Sequence, residues 1–224
     1  MLLYIIRHGE TDWNNIGRLQ GSADIPLNEN GRQLARITGE ALREVPFDLV
    51  ITSPLQGARE TGELVTAPSG KYFGRMIPVL EDDRLREIDW GSWEGLGCRA
   101  ENFAIPDENF NLFYTDALKY EGSPDGDSVA EVCERTGEFL RELIHKPDYQ
   151  DKTILISTHG CAMRAMLNPL YADPLDFWQG HVPYNCTVNV VKAENGKARL
   201  VSADKIYYDA SLCVDNYKVV KPQE

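Results

Sequence analysis

Leu2-Leu3-Tyr4-Ile5-Ile6-Arg7-His8-Gly9 and, far downstream, Thr153-Ile154-Leu155-Ile156-Ser157-Thr158-His159-Gly160 decide the fold. Each is a short apolar run that ends at His-Gly. Such a run, without polar alternation, is the pattern of a strand buried on both faces, and strands of that kind belong to parallel sheets covered by helices. If the two strands are central and parallel, both imidazoles emerge on one rim. That rim lies beyond the carboxyl ends of the strands, where open α/β sheets bind their ligands.

The rest of the chain extends this pattern. Residues 48–52 (DLVIT) read as another buried strand, stopped by Ser53-Pro54, and residues 76–80 as a third. Helical spacing places Leu34, Ile37, Ala41, Leu42 and Val45 on one face of residues 31–45, which Pro46 ends. Further helices are expected over 55–65, 127–146 and 161–171. Residues 186–192 and 198–203 alternate around Glu194-Asn195-Gly196, a hairpin signal. Residues 95–124 have mixed polarity and irregularly spaced aromatics, and read as an insertion of loops and short helices over the active-site side. The polar tail after Asp215 is expected to be mobile. Strands alternating with helices predict an α/β three-layer sandwich, with a mostly parallel central sheet and helices on both faces, in one domain spanning 1–224.

Composition excludes several classes. The 224 residues carry 35 acids against 23 bases, a net charge of −12. A nucleic-acid or membrane surface would need clustered Lys and Arg, so neither partner is expected. The five cysteines are scattered and form no C-x-x-C pair, which fits a reducing cytoplasm and offers no zinc spacing. No apolar run approaches membrane-spanning length, and the six residues before Arg7 lack the features of a signal peptide. Asn185-Cys186-Thr187 matches a glycosylation acceptor and is read as chance. Cys-x5-Arg, the Walker-type phosphate loop and Gly-x-Ser-x-Gly are all absent.

The run Arg7-His8-Gly9-Glu10-Thr11-Asp12-Trp13-Asn14 resembles the opening of the histidine phosphatase superfamily, the phosphoglycerate mutase-like proteins. The resemblance continues in order through residues 17–21 (GRLQG), 24–31 (DIPLNENG), 53–55 (SPL) and 85–95 (LREIDWGSWEG), and ends with Ser157-Thr158-His159-Gly160 and Arg164. It implies a phosphohistidine mechanism without metal or cofactor. His8 is the expected nucleophile and Glu87 the proton donor and acceptor. Arg7 and His159 would stabilise the phosphoryl group. Asn14, Gln20 and Gly21 are expected to contact phosphate or substrate. A neutral imidazole suits the nucleophile's part at pH 7, and a guanidinium fork suits phosphate oxygens.

One departure from the family pattern matters. The family reads Ser-x-Leu-x-Arg-Ala, and its arginine is a second phosphate ligand. Here the run is Ser53-Pro54-Leu55-Gln56-Gly57-Ala58. Arg59 is the candidate substitute, with Arg18 and Arg86 behind it, although two residues turn a helix by roughly 200°. The acids of Pro124-Asp125-Gly126-Asp127-Ser128 are expected to cap the next helix. His145 and His181 default to surface positions, and Cys161 to a buried thiol. The leading expectation is a phosphatase of small phosphorylated metabolites. A phosphoglycerate mutase-type phosphotransferase and a degenerate phospho-ligand-binding homologue are the alternatives. The sequence sets no oligomeric state, and a homodimer stays open.

Overall fold

A computed structural model describes residues 1–213 of the chain; the tail after Asp215 lies outside the described residues. The elements are β1 (Leu2–Arg7), α1 (Asp12–Ile16), α2 (Glu29–Ala41), β2 (Leu49–Thr52), α3 (Gln56–Phe73), β3 (Val79–Glu81), α4 (Leu112–Thr115), α5 (Val129–His145), β4 (Thr153–Thr158), α6 (Gly160–Leu167), β5 (Val188–Glu194) and β6 (Lys197–Lys205). Six strands form one sheet in the order β3-β2-β4-β1-β5-β6. The first four are parallel, and β5 and β6 add an antiparallel edge.

Both faces of the central strands are buried because successive side chains leave a strand in opposite directions. Leu3, Ile5, Ile154 and Ile156 pack under α5 and α6, against Phe139, Leu143 and Met163. Ile6, Val50 and Leu155 pack on the other face, against Leu34 and Ala35 of α2 and Val65 of α3. A third cluster, rich in aromatics, joins residues 88–93, 105–120 and 177–178. The apolar runs thus become the middle layer of an α/β sandwich.

Register then aligns the rim. Arg7 pairs with Thr158, and Thr52 with Ser157. His8, Ser53 and His159 therefore each stand at the first position past a strand end, side by side. Two glycines bring the β1 loop against α2. A Cβ on Gly31 would lie 2.1 Å from the Glu10 carbonyl oxygen, and one on Gly9 would lie 2.6 Å from that of Gly31. This contact seats the loop that carries His8.

Element ends differ from the sequence expectation where proline acts. The third strand starts at Val79 rather than residue 76, because Pro78 has no N–H for the ladder; its carbonyl accepts from Val50 N–H at 2.9 Å instead. The helix α3 runs on through Pro68 to Phe73 and stops at Gly74, whose φ of 63° is left-handed. The helix α6 ends at Leu167, since Asn168-Pro169 forms a single 3-10 turn. The hairpin turns on Asn195 and Gly196, both with positive φ, the conformation that twisted strands favour.

Gly31→Ala should force the β1 loop and α2 apart, costing about 1–3 kcal/mol as overpacking does. For a domain of this size that lowers Tm by about 2–4 °C per kcal/mol. An unchanged Tm in a thermal melt would contradict the close-contact account.

Candidate active site

The site grows from the end of β1. His8 is buried, and its Nδ1 lies 2.7 Å from the Gly9 carbonyl oxygen. A carbonyl only accepts, so Nδ1 carries the hydrogen and the neutral ring keeps Nε2 as a lone-pair nitrogen. Burial, reinforced by the Arg7 charge, lowers the imidazole pKa to about 3. The ring therefore stays neutral across the physiological range. His159 lies beside it, with ring centroids 5.0 Å apart. It is held by Ser53 Oγ at 2.8 Å from its Nε2, and burial also pushes its pKa well down.

Arg7 is buried and donates from Nη1 to the Pro183 carbonyl, while its Nε is buried without a hydrogen-bond partner. An orphaned guanidinium N–H is costly unless a ligand satisfies it. Glu87 faces the same place from the loop that follows the 3-10 turn Asp83–Leu85. Its Oε2 accepts from Cys161 N–H at 3.0 Å; its Oε1 accepts from Ala162 N–H at 2.9 Å and Ile88 N–H at 3.0 Å. Glu87 thus satisfies orphan N–H groups at the start of α6. Burial raises its pKa despite these three donors, so the protonated acid persists to higher pH than in an ordinary carboxyl. Gly160 sits between the two groups: a Cβ there would be in ordinary contact with both, 3.5 Å from Arg7 Nε and 3.6 Å from Glu87 Oε2.

Asn14 and Gln20 also line the cleft. Asn14 Oδ1 accepts from Thr11 N–H at 3.2 Å and Asn185 Nδ2 at 3.3 Å, which leaves its amide NH2 for a ligand. Gln20 Oε1 accepts from Thr11 Oγ1 at 2.5 Å. Arg7, His8, Asn14, Gln20, Glu87 and His159 are thus gathered at one rim, with His159 reaching it through His8.

Gly21 and Arg59 are not where the sequence reading put them. The N–H of Gly21 already donates to Glu94 Oε1 at 2.7 Å, and a Cβ there would lie 2.0 Å from the Ile88 carbonyl oxygen. Gly21 is a close-approach glycine, not a phosphate donor. The Arg59 side chain is 54% exposed and pairs with Glu63 and Glu81. The rotation of two helical positions carries it to the outer face of α3. Arg18 is exposed and lies over Trp13, and Arg86, though its charge is felt at His159, is held by Asp83 and does not line the cleft. Position 57 itself does face the site: a Cβ there would be 3.8 Å from His8 Nδ1. His181 is half-buried rather than a surface residue, and its Nδ1 and carbonyl oxygen each lie 3.2 Å from Arg164 Nη2.

Several contributors went unread in the sequence. Ser53 orients His159. Asn185, read there only as part of a chance pattern, donates to the His8 carbonyl at 3.0 Å. Arg135 donates to the carbonyls of Arg84, Arg86 and Glu87 and so fixes the segment that carries the acid. An aromatic wall, built by Trp90, Phe113, Tyr114 and Trp178, completes the cleft. Among the described residues, no helix is long and apolar enough to cross a membrane.

A six-stranded α/β sheet thus brings two histidines, an arginine and a half-buried glutamate to one rim. The chain belongs to the histidine phosphatase superfamily (branch 1), whose sequence profile matches residues 3–205. It is 30% identical over 190 residues to the uncharacterized phosphatase PhoE of Bacillus subtilis, covering 85% of this chain and 88% of that one. It is 35% identical over 170 residues to the 2,3-bisphosphoglycerate-dependent phosphoglycerate mutase 2 of Gloeobacter violaceus, covering 75% of each. The solved structure of Bacillus stearothermophilus YhfR superposes with a TM-score of 0.80 at 31% identity, over 92% of this chain and 97% of that one. Phosphatases and phosphoglycerate mutases thus both stand among its relatives.

Gly57→Arg should place a second guanidinium beside His8. A charge-assisted hydrogen bond contributes about 1.5–3 kcal/mol, so the Kd for inorganic phosphate should fall by about tenfold or more in calorimetry. A change under about twofold would show that position 57 does not address the anion site.

Proposed function

We propose that the protein is a phosphatase of small phosphorylated metabolites that works through a phosphohistidine on His8. One observation carries the reading: His8 Nδ1 is committed to the Gly9 carbonyl while the protonatable Glu87 borders the same cleft. In the first step the Nε2 lone pair attacks phosphorus, the P–O bond to the alcohol breaks, and the Glu87 proton passes to the leaving oxygen. In the second, the Glu87 carboxylate takes a proton from water as its oxygen attacks phosphorus. The P–N bond then breaks, its electron pair returns to Nε2, and phosphate leaves. Arg7 Nε and the Asn14 amide donate to the phosphoryl oxygens, and His159 flanks the transferring group. Catalysis of this kind is mainly positioning and charge neutralisation.

Hydrolysis is favoured over transfer between phosphoglycerates by the cleft's charge. Among the described residues that line it, Arg7 supplies the one guanidinium or ammonium, whereas a bisphosphate intermediate would need cations at both ends. The reaction needs no metal, so turnover in excess chelator should be unchanged. The cysteines support a reducing cytoplasm as its setting.

The pH dependence follows from the two shifts. With the His8 pKa at about 3, protonation of the nucleophile does not limit activity above about pH 4. Glu87 must be protonated to donate, so kcat/KM falls as pH rises through its raised pKa. Glu87→Gln should remove that limb and slow alkyl phosphates by about 10²–10⁴, the usual contribution of a general acid. It should slow p-nitrophenyl phosphate far less, because nitrophenolate leaves without a proton. Equal losses on both substrates would contradict the role of Glu87. Rapid quench of wild type should trap an acid-labile, base-stable phosphate that His8→Ala lacks; its absence, with no turnover on a metabolite panel, would overturn the function.

A further inference from the structure

The cleft beyond the phosphoryl site is walled by rings. Trp90, Phe113, Tyr114 and Trp178 line it, with Leu19 and Val182 between them. They come from three distant segments, and their mutual packing makes the wall rigid. Phe113 is the hub, with ring centroids 4.9 Å from Trp90, 5.1 Å from Tyr114 and 5.1 Å from Trp178, all edge-to-face. Trp178 is pinned further, its Nε1–H donating to the Phe113 carbonyl at 2.6 Å. The cleft itself is small, about 50 Å³, and opens to solvent on one side.

Charge decides what such a wall accepts. Arg7 is the one guanidinium or ammonium among the described lining residues, and its Nη1 is partly spent on Pro183. Arg59 pairs with Glu63 and Glu81, Arg18 lies over Trp13, and Arg86, whose charge is felt at His159, is tied to Asp83 and does not line the wall. The phosphoryl group needs Arg7, so a second anionic group on the substrate would meet no counter-charge. A carboxylate pressed against this apolar surface loses hydration without gaining a counter-charge. An uncharged ring or hydrocarbon gains from the same surface by burial and edge-to-face contact.

We infer that the cleft selects phosphate monoesters of uncharged, apolar alcohols, and discriminates against esters whose alcohol carries a carboxylate. The inference rests on the proposed phosphatase reading, since it takes the phosphoryl position from it. It deepens that reading by naming the leaving group. Tyr114 sits half-exposed on the wall, so it can be changed without emptying the core.

The test compares non-hydrolysable phosphonates, so that binding is read apart from turnover. Calorimetry with the intact protein should give benzylphosphonate a Kd at least about tenfold below that of 3-phosphonopropionate, a difference of about 1.4 kcal/mol. Tyr114→Arg should close the gap to about threefold or less, while a control melt still shows a cooperative transition well above the assay temperature. Among substrates with comparable alkoxide leaving groups, benzyl phosphate should exceed 3-phosphoglycerate and phosphoserine in kcat/KM. Equal or tighter binding of 3-phosphonopropionate would overturn the inference, and so would a preference for phosphocholine over benzyl phosphate. If the carboxylated esters turn over faster, the leaving-group assignment fails and the phosphatase stands. If benzylphosphonate binds selectively but no ester turns over, the leaving-group assignment holds and the phosphatase fails.

Discussion

A single hydrogen bond, from His8 Nδ1 to the Gly9 carbonyl, sets the chemistry of the rim. It selects one tautomer and leaves Nε2 bare. Burial then keeps the ring neutral, because an imidazolium there would sit beside Arg7 without water. The bond depends on the backbone past β1, and that backbone is fixed from three sides. Gly9 N–H donates to Thr61 Oγ1 at 2.9 Å, the His8 N–H to the Thr158 carbonyl at 2.9 Å, and Asn185 Nδ2 to the His8 carbonyl. The parallel register of β1 and β4 does the rest, by bringing His159 to the same height. Sheet geometry and the proposed nucleophile's protonation state are thus one constraint seen at two scales.

The net charge of −12 makes anion recognition a local matter. At physiological salt the Debye length is about 8 Å, so distant surface acids repel an incoming phosphate weakly. What counts is the N–H groups at the rim. Arg7 is held in place through Pro183, within a segment that also contributes Val182 to the wall and an Asn185 hydrogen bond to the His8 backbone. Residues 182–185 therefore couple the proposed phosphoryl site to the aromatic wall. With Gly57 in place of a second guanidinium, the anion site has little charge to spare. The same economy supports the aromatic wall as the determinant of substrate choice.

Much of this was legible in the sequence because it is local. The strands announced themselves as unbroken apolar runs, and His8 and His159 as the residues that end them. The motif around Glu87 marked a carboxyl that the fold does bring to the cleft. What escaped reading depends on long-range placement. The wall draws on residues 90, 113–114 and 178, whose spacing carries no periodic signal, and they meet only after the insertion folds over the rim. Ser53 and Asn185 are ordinary polar residues until register sets them beside His159 and His8. Arg59 looked available from its sequence distance, but helical rotation turned it outward to Glu63 and Glu81. Gly21 is expected from the family resemblance to contact phosphate or substrate; its N–H instead donates to Glu94. Sequence proximity overstated one role and helical phase removed the other.

The central claim is that His8 is a neutral, Nδ1-protonated imidazole with a free Nε2. Proton–nitrogen correlation NMR of the 15N-histidine-labelled protein reads this directly, with His8→Ala assigning the signals. The account predicts the Nδ1–H tautomer for His8, with shifts that do not titrate between pH 8 and pH 5. An Nε2–H tautomer, or a titration near the ordinary histidine pKa of about 6.5, would contradict it.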